Sequence, residues 1–338
     1  MSSVPLLFAL FVSGQSMPKK KPPISKIKPF LWRPGEGCDP DALARLQQTF
    51  LRPAEPMGEA WFMGERRFFP DLMGDLAEIS IARLREVLFE VTTGPQNFGP
   101  RKEWTTWFHY ILARTLPRAH EYSAFSFHLE TLISAFMGQY RTGKEAEAYP
   151  GFFEDVLATL GRSVMDAECW YEGSFGGGLI QRELTRRKGT WRWFAVSGDL
   201  SASMFLCLKF LPNEAVAAWL RSVLAIPCPL WRAHVVAWLV GAYDILNARS
   251  AGPSDLRIDV QPSVFWNHAG LLRYSSSSDD ETVFLPSQNR IMALETVAAF
   301  MTDEVYLDWL CSIGEVEELE ADLGDIPDAF RSLYKAGC

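Results

Sequence analysis

Five histidines, six cysteines and 41 acidic residues are the groups on which this 338-residue chain could build chemistry. None falls into a spacing that serves a recognised reaction. There is no HExxH, and no two histidines stand four apart, so the zinc-helix arrangement is absent and no metal is expected. His128 and His234 lie on apolar helical faces and read as hydrogen-bonded core histidines. His109 is the one candidate partner for His128. In a helical hairpin over 104–142, a loop centred near residue 119 sets His109 opposite about residue 129, beside His128 and Glu130. An all-α enzyme with an interhelical pocket would therefore use His128 or His109.

Other catalytic patterns fail on simple grounds. Gly173-Ser174-Phe175-Gly176-Gly177-Gly178 is neither GxGxxG nor a P-loop, because no Gly-Lys-Ser/Thr follows to hold a phosphate. It reads as a turn. No cofactor is expected. No GxSxG elbow occurs. Cys169, next to Trp170, would be a nucleophile only with a base beside it in space. Asp279/Asp280 and Glu317/Glu318 are adjacent pairs that point in different directions on a helix, so they read as solvated faces.

The aromatic residues say more. Of the 12 tryptophans, Trp104, Trp107, Trp219, Trp231, Trp238 and Trp309 sit at core spacing, so core packing is their expected role. Trp191-Arg192-Trp193 differs, because it follows Arg186-Arg187-Lys188 in the one strongly basic patch outside the N-terminal arm. Tryptophan and arginine together are typical anchors of an interface. Arg186, Arg187, Lys188, Trp191, Arg192 and Trp193 are the candidate partner-binding residues. Against that stands the plainer reading of a buried Trp pair beside a solvated basic turn.

Charge narrows the partner. The formal net charge is −8, yet residues 1–35 carry six basic residues and no acid. The remainder holds 27 basic and 41 acidic residues, a net −14. Such a body repels phosphate backbones, so no nucleic acid is expected on it. The arm at 1–56 is Pro-rich and basic and reads as partly flexible, wrapping an edge of the body where it is ordered. The apolar run Val4–Val12 is followed, not preceded, by lysines, the wrong order for a secretory signal. Membrane contact by residues 4–28 is the lesser reading, and an extension ahead of a start at Met17 is another. Cysteines without CxxC spacing, three of them in apolar runs, point to a reducing cytoplasm.

The elements that must position these groups are helical. After a short helix at 40–50 capped by Asp39, Met73, Ala77, Ile81, Leu84, Leu88 and Val91 make one face of a helix ended by Gly94-Pro95. Trp104 to Thr115 and Phe125 to Tyr140 give an antiparallel pair, the second being the cleanest amphipathic pattern in the chain. Phe152–Leu160 is another helix. Leu179–Lys188 fits a short helix, and Trp191–Val196 fits either a strand or the start of a buried helix. Three apolar segments at 200–211, 213–224 and 229–246 are parted by prolines. Residues 250–288 read as a loop or internal boundary with a short helix at 262–274. Helices follow at about 288–301, 303–313, 315–323 and 327–335. Ten acids and no base lie between residues 303 and 330.

The expected fold is all-α, stacked antiparallel helix hairpins in an irregular α-solenoid, with the body at 57–338 and the Pro-rich N-terminal arm ahead of it. Residues 199–248 resemble HEAT-type helical repeats. The string Pro229-Leu230-Trp231-Arg232-Ala233-His234-Val235-Val236-Ala237-Trp238-Leu239 is similar to the second half of such a unit, in which a proline-led helix carries Val/Ala pairs at helical spacing. The resemblance covers about 50 residues. It implies a curved, non-enzymatic scaffold or adaptor that binds a protein partner. An inhibitor or immunity-type binder is one version, with the acidic 303–328 surface steering a cationic partner.

Overall fold

The computed structural model describes residues 29–57, 69–97, 101–119, 128–171, 174–175, 183–187, 190–196, 198–256, 263–264, 266, 268, 272, 284–316 and 325–334. The fold is all-α, with two small sheets among the described residues, one of two strands and one of three. Helix α1 is Pro40–Thr49, α2 Ile81–Asn97, α3 Arg101–Thr115, α4 His128–Gln139 and α5 Phe152–Ala158. After the short strands β1 (Trp170–Tyr171), β2 (Ser174–Phe175), β3 (Glu183–Arg187) and β4 (Thr190–Val196) come α6 (Gly198–Phe210), α7 (Asn213–Leu224), α8 (Pro229–Gly241) and α9 (Tyr243–Leu246). Strand β5 (Ser263–Val264) precedes α10 (Ser287–Phe300), α11 (Asp303–Gly314) and α12 (Ile326–Tyr334).

The arm is anchored from its first described residues. The Trp32 indole is buried, and its Nε1–H donates to the Gly161 carbonyl at 2.9 Å. Its ring meets Trp219 edge-on at 5.5 Å and Trp231 at 6.0 Å. The Trp32 amide donates to Ser222 Oγ, and the Asp39 amide to the Ala158 carbonyl. Asp39 then caps α1 as its type predicts, with Oδ1 accepting from the amides of Asp41 and Ala42 at 3.0 and 2.9 Å. Residues 1–28, including the apolar run and the lysines, lie outside the described residues.

Several boundaries differ from expectation. Met73 and Ala77 are not in α2. Pro70–Met73 is a separate 3₁₀ turn, and α2 begins after Ser80, whose Oγ accepts from the Arg83 amide. Asp75 accepts from the Ala77 amide and holds the break between them. Helix α2 continues through Gly94-Pro95 to Asn97. Proline there forfeits one backbone bond near the helix end, a smaller loss than in the interior. The helix expected over Leu179–Lys188 is not formed at its described residues, 183–187. Residues 183–187 form a strand that pairs antiparallel with β4, because the aromatic and β-branched 190–196 run offers a partner ladder. Ser263–Val264 is likewise a strand, parallel to Ala195–Val196, where a helix over 262–274 was expected. The helix expected at 315–323 falls largely on residues outside those described.

The helices do not pack simply in chain order. Helix α6 is buried along nearly its whole length and lies against α4, α5, α10 and the 3₁₀ segment Leu160–Met165. Helix α7 packs chiefly on α10, and α8 on α11, α12 and strands β4 and β5. Two-residue and four-residue connections place α6, α7 and α8 near one another, but their apolar faces find partners from the far end of the chain. Among the described residues no helix is long and apolar enough to cross a membrane.

Candidate functional site

The structure separates the histidines. Helix α3 meets the C-terminal end of α4, with Thr105 Oγ1 donating to Gln139 Oε1 at 2.9 Å. His109 Nε2 shares a 2.8 Å hydrogen bond with Tyr140 Oη, just past the end of α4. His128 starts that helix, 12 residues earlier, which is about 18 Å along the axis. The expected pairing set His109 opposite about residue 129, whereas its hydrogen-bond partner is Tyr140, a register displaced by about 11 residues. His109 therefore does not meet His128. It stacks instead among the rings of Phe50, Tyr140 and Phe152 at 4.4, 5.9 and 5.4 Å. Burial lowers its pKa to about 4 and keeps the imidazole neutral. The same burial raises the Tyr140 phenol. His234 is a core histidine, its Nδ1–H donating to the Leu230 carbonyl of its own helix at 2.7 Å.

Polar chemistry collects elsewhere, where the N-termini of α4 and α6 meet. Glu130, in the first turn of α4, is fully buried. Its amide donates to Asp199 Oδ1 at 2.7 Å, so an acid on α6 satisfies one of the donors that the start of α4 leaves open. Its carboxylate Oε1 accepts from the His268 amide at 2.9 Å and pairs with His268 Nδ1 at 2.8 Å. Oε2 finds no hydrogen-bond partner among the described residues and presses against Gly198, the first residue of α6. A side chain at 198 would collide with it. The helix-start dipole of α6 favours a carboxylate there. One turn on, Ser134 Oγ donates to the Glu130 carbonyl and accepts from Trp266 Nε1 at 2.7 Å.

Sequence reasoning missed this group. In the sequence Glu130 stands out only as a neighbour of His128. Its signal was an acid inside the apolar run of α4, matched by Asp199, Ser201 and Ser203 inside the apolar run of α6. His268 carried no signal, because its segment has no regular period.

Two further ionisable groups are buried outside this centre. Lys209, near the end of α6, donates from Nζ to the Phe284 carbonyl at 2.6 Å, and burial lowers its pKa to about 8. Asp155 accepts a forked contact from Arg45, 2.6 Å at the closest, and the Tyr149 hydroxyl at 2.7 Å. Among the described residues no group of three or more histidine, cysteine or acidic side chains has the arrangement of a metal site. Cys169 is fully buried in the core, with no accessible thiol to attack a substrate.

The expected binding residues fall on one hairpin. Arg186 stands opposite Trp191, Thr185 opposite Arg192 and Leu184 opposite Trp193, with a register shift at Glu183. Lys188 lies outside the described residues, in the link between the two strands. Among the described residues the sheet order β3-β4-β5 puts β3, with Arg186 and Arg187, at one edge, while α8 packs on β4 and β5. The sequence reading of 191–196 as strand or buried helix resolves to strand. Comparisons of the chain with protein-family models, curated proteins and solved structures found no match.

Proposed function

We infer that the chain is a non-enzymatic helical scaffold or adaptor that binds a protein partner, with the 183–196 hairpin as one contact. The observation that carries the reading is the place of β3: a strand containing Arg186 and Arg187 at an edge of its sheet, among the described residues, in an acidic molecule. An edge strand leaves a row of backbone donors and acceptors for another chain, and basic residues along it select an acidic one. The HEAT-like character of 199–248 supports the same reading, although the helices do not stack strictly in sequence. Cys38, Cys169, Cys207, Cys228 and Cys311 are thiols, which suits a reducing compartment such as the cytoplasm.

Capture from a lysate at low and moderate salt tests this reading, using the full chain and an Arg186→Glu/Arg187→Glu/Arg192→Glu variant. A partner held by the parent, lost by the variant and weakened by salt supports it. Equal capture by both removes the hairpin from the interface, and no stable protein partner at either salt ends the scaffold reading.

An enzymatic reading now rests on Glu130 and His268 in place of His109 or His128, because a carboxylate on imidazole Nδ1 is the orienting half of a general base. His268→Gln separates the two: it abolishes turnover in an enzyme and leaves partner capture unchanged in a scaffold.

A further inference from the structure

The groove that receives Trp32 is built like a slot for an extended peptide. Its walls come from three elements: Trp219 and Ser222 on α7, Trp231 on α8, and Gly161 and Arg162 in the 3₁₀ segment Leu160–Met165. The arm crosses it as neither helix nor strand. Phe30 and Trp32 stand two residues apart, the spacing that puts two side chains on one side of an extended segment. The Phe30 ring lies under the Arg162 guanidinium, whose carbon is 5.0 Å from the ring centroid. Trp32 donates twice at 2.9 Å, from its amide to Ser222 Oγ and from Nε1 to the Gly161 carbonyl. A main-chain hydrogen bond beside pockets for alternate side chains is how extended peptides are held.

The hold is narrow. From residue 29 to residue 39 only Trp32 is buried; Phe30 and Leu31 are half-buried, and Arg33 to Glu36 are exposed. The exposed stretch is a turn, with the Glu36 amide donating to the Arg33 carbonyl at 2.9 Å and Gly35 at φ +80°. Beyond that turn the chain is fixed by Asp39, so the segment ahead of it can swing away without disturbing α1. Nor does the arm complete the groove. Trp219 is fully buried against Trp32, yet its Nε1–H finds no acceptor among the described residues, and Arg162 Nε lacks one as well. A buried donor without an acceptor forfeits free energy that a ligand carrying one recovers. A segment held by one side chain over unsatisfied donors is a ligand that another can replace.

We propose that the Trp32 groove is a docking slot for an extended segment of a partner protein, anchored by a tryptophan with a second aromatic residue two positions away, and that Phe30-Leu31-Trp32 fills it in the unbound chain as an autoinhibitory plug. This rests on the scaffold reading and adds a slot built from other residues than the 183–196 hairpin, with the chemistry of what enters it. The partner enters only when the arm leaves, so the plug weakens apparent affinity by the fraction of chains in which the slot is open. Cys207, on α6, reports that state. Its Sγ–H and the Trp32 indole N–H converge on the same Gly161 carbonyl, at 3.5 and 2.9 Å. Burial pushes the thiol well above its usual range and keeps it unreactive until Trp32 lifts away.

The test uses the full chain, its Trp32→Ala variant and a fluorescein-labelled peptide of residues 28–34, Lys-Pro-Phe-Leu-Trp-Arg-Pro. The same peptide with alanine in place of tryptophan is the control. The peptide is expected to bind Trp32→Ala about tenfold tighter than the parent or more, and the control to bind neither. Cys207, followed by mass spectrometry of its own proteolytic fragment, should be alkylated about tenfold faster in Trp32→Ala, and saturating peptide should restore the slow rate. No binding to a Trp32→Ala chain of parental helicity, or equal binding to both chains, overturns the proposal. Hydrogen exchange on the parent keeps it testable if the variant does not fold: the Trp32 amide should exchange about tenfold faster than the amides of α7 or more. Equal protection would mean that the arm opens only with the whole fold, which overturns the plug. A parent chain that dimerises through Trp32 as its concentration rises also overturns the proposal, by giving the slot to a second copy. The hairpin variant separates the two readings. If it loses the captured partner while the peptide fails on every chain, the scaffold reading stands and the slot fails. If no form captures a partner while the peptide binds Trp32→Ala, the slot stands and the scaffold reading fails.

Discussion

The amide of Glu130 donates to the carboxylate of Asp199 across 2.7 Å, joining the first turns of α4 and α6. The Glu130 carboxylate in turn lies against Gly198 at the start of α6. Each helix start thus receives an acid from the other. The arrangement satisfies a backbone donor and sets two negative side chains where helix dipoles favour them. It also explains the glycine, since a methyl group at 198 would overlap Glu130 Oε2.

Gly198→Ala is therefore expected to destabilise the fold by about 1–3 kcal/mol, the usual range for forcing extra volume into a packed site. Urea unfolding measures it. Gly138→Ala, where nothing stands within 4 Å of the added carbon, is the control and should be neutral or slightly stabilising in a helix. Equal losses at both positions would mean that the close approach at 198 is not a constraint.

Trp32 ties the arm to the body through one hydrogen bond and two ring contacts. Trp32→Ala should cost about 3–5 kcal/mol, as for other buried large-to-small changes. It should also release residues 29–39 to limited proteolysis well below the melting temperature. A variant that melts early but stays resistant to cleavage there would show that the indole supports the core without anchoring the arm.

Acid sensitivity follows from His109. Its pKa is about 4 in the folded chain against an ordinary 6.5, so the unfolded chain holds more proton between those values and stability rises with pH there. The contribution is fully present above about 6.5, is lost as pH falls towards about 4, and amounts to about 3 kcal/mol over the window. Unfolding free energies at several pH values, with His109→Phe alongside, check this. The substitution removes the partner of Tyr140 and lowers stability at pH 7, but it should flatten the slope. An unchanged slope would assign the acid sensitivity to another group.

Arg45 and Arg33 make ion pairs that should differ in consequence. The Arg33–Glu36 pair is half exposed on both sides and should contribute about 0–1 kcal/mol. Arg45 reaches a carboxylate that is only 7% exposed. Removing it leaves Asp155 buried with the Tyr149 hydroxyl as its remaining strong donor. Arg45→Met should cost about 1–3 kcal/mol and Arg33→Met much less. Chemical denaturation of the two variants decides it, and comparable losses would place Asp155 in water.

Local rules carried much of the architecture. The 3.6-residue period of apolar side chains placed α3, α4, α7, α8, α10 and α11 within a few residues of their observed ends, and Asp39 announced α1, because helix faces and caps depend on neighbours in the chain. The period could not reveal pairings between distant segments. Arg186 and Arg187 read as helix until β4 offered a ladder, and Trp32 read as part of a loose arm until the groove between α7, α8 and the 160–165 turn existed to receive it. The candidate centre is the extreme case: Glu130 and His268 are 138 residues apart, and only the packing of Trp266 and His268 against α4 brings them within hydrogen-bond reach. Amphipathicity says which side of a helix is buried, whereas which partner buries it depends on shape and on polar groups that must find one another across the whole chain.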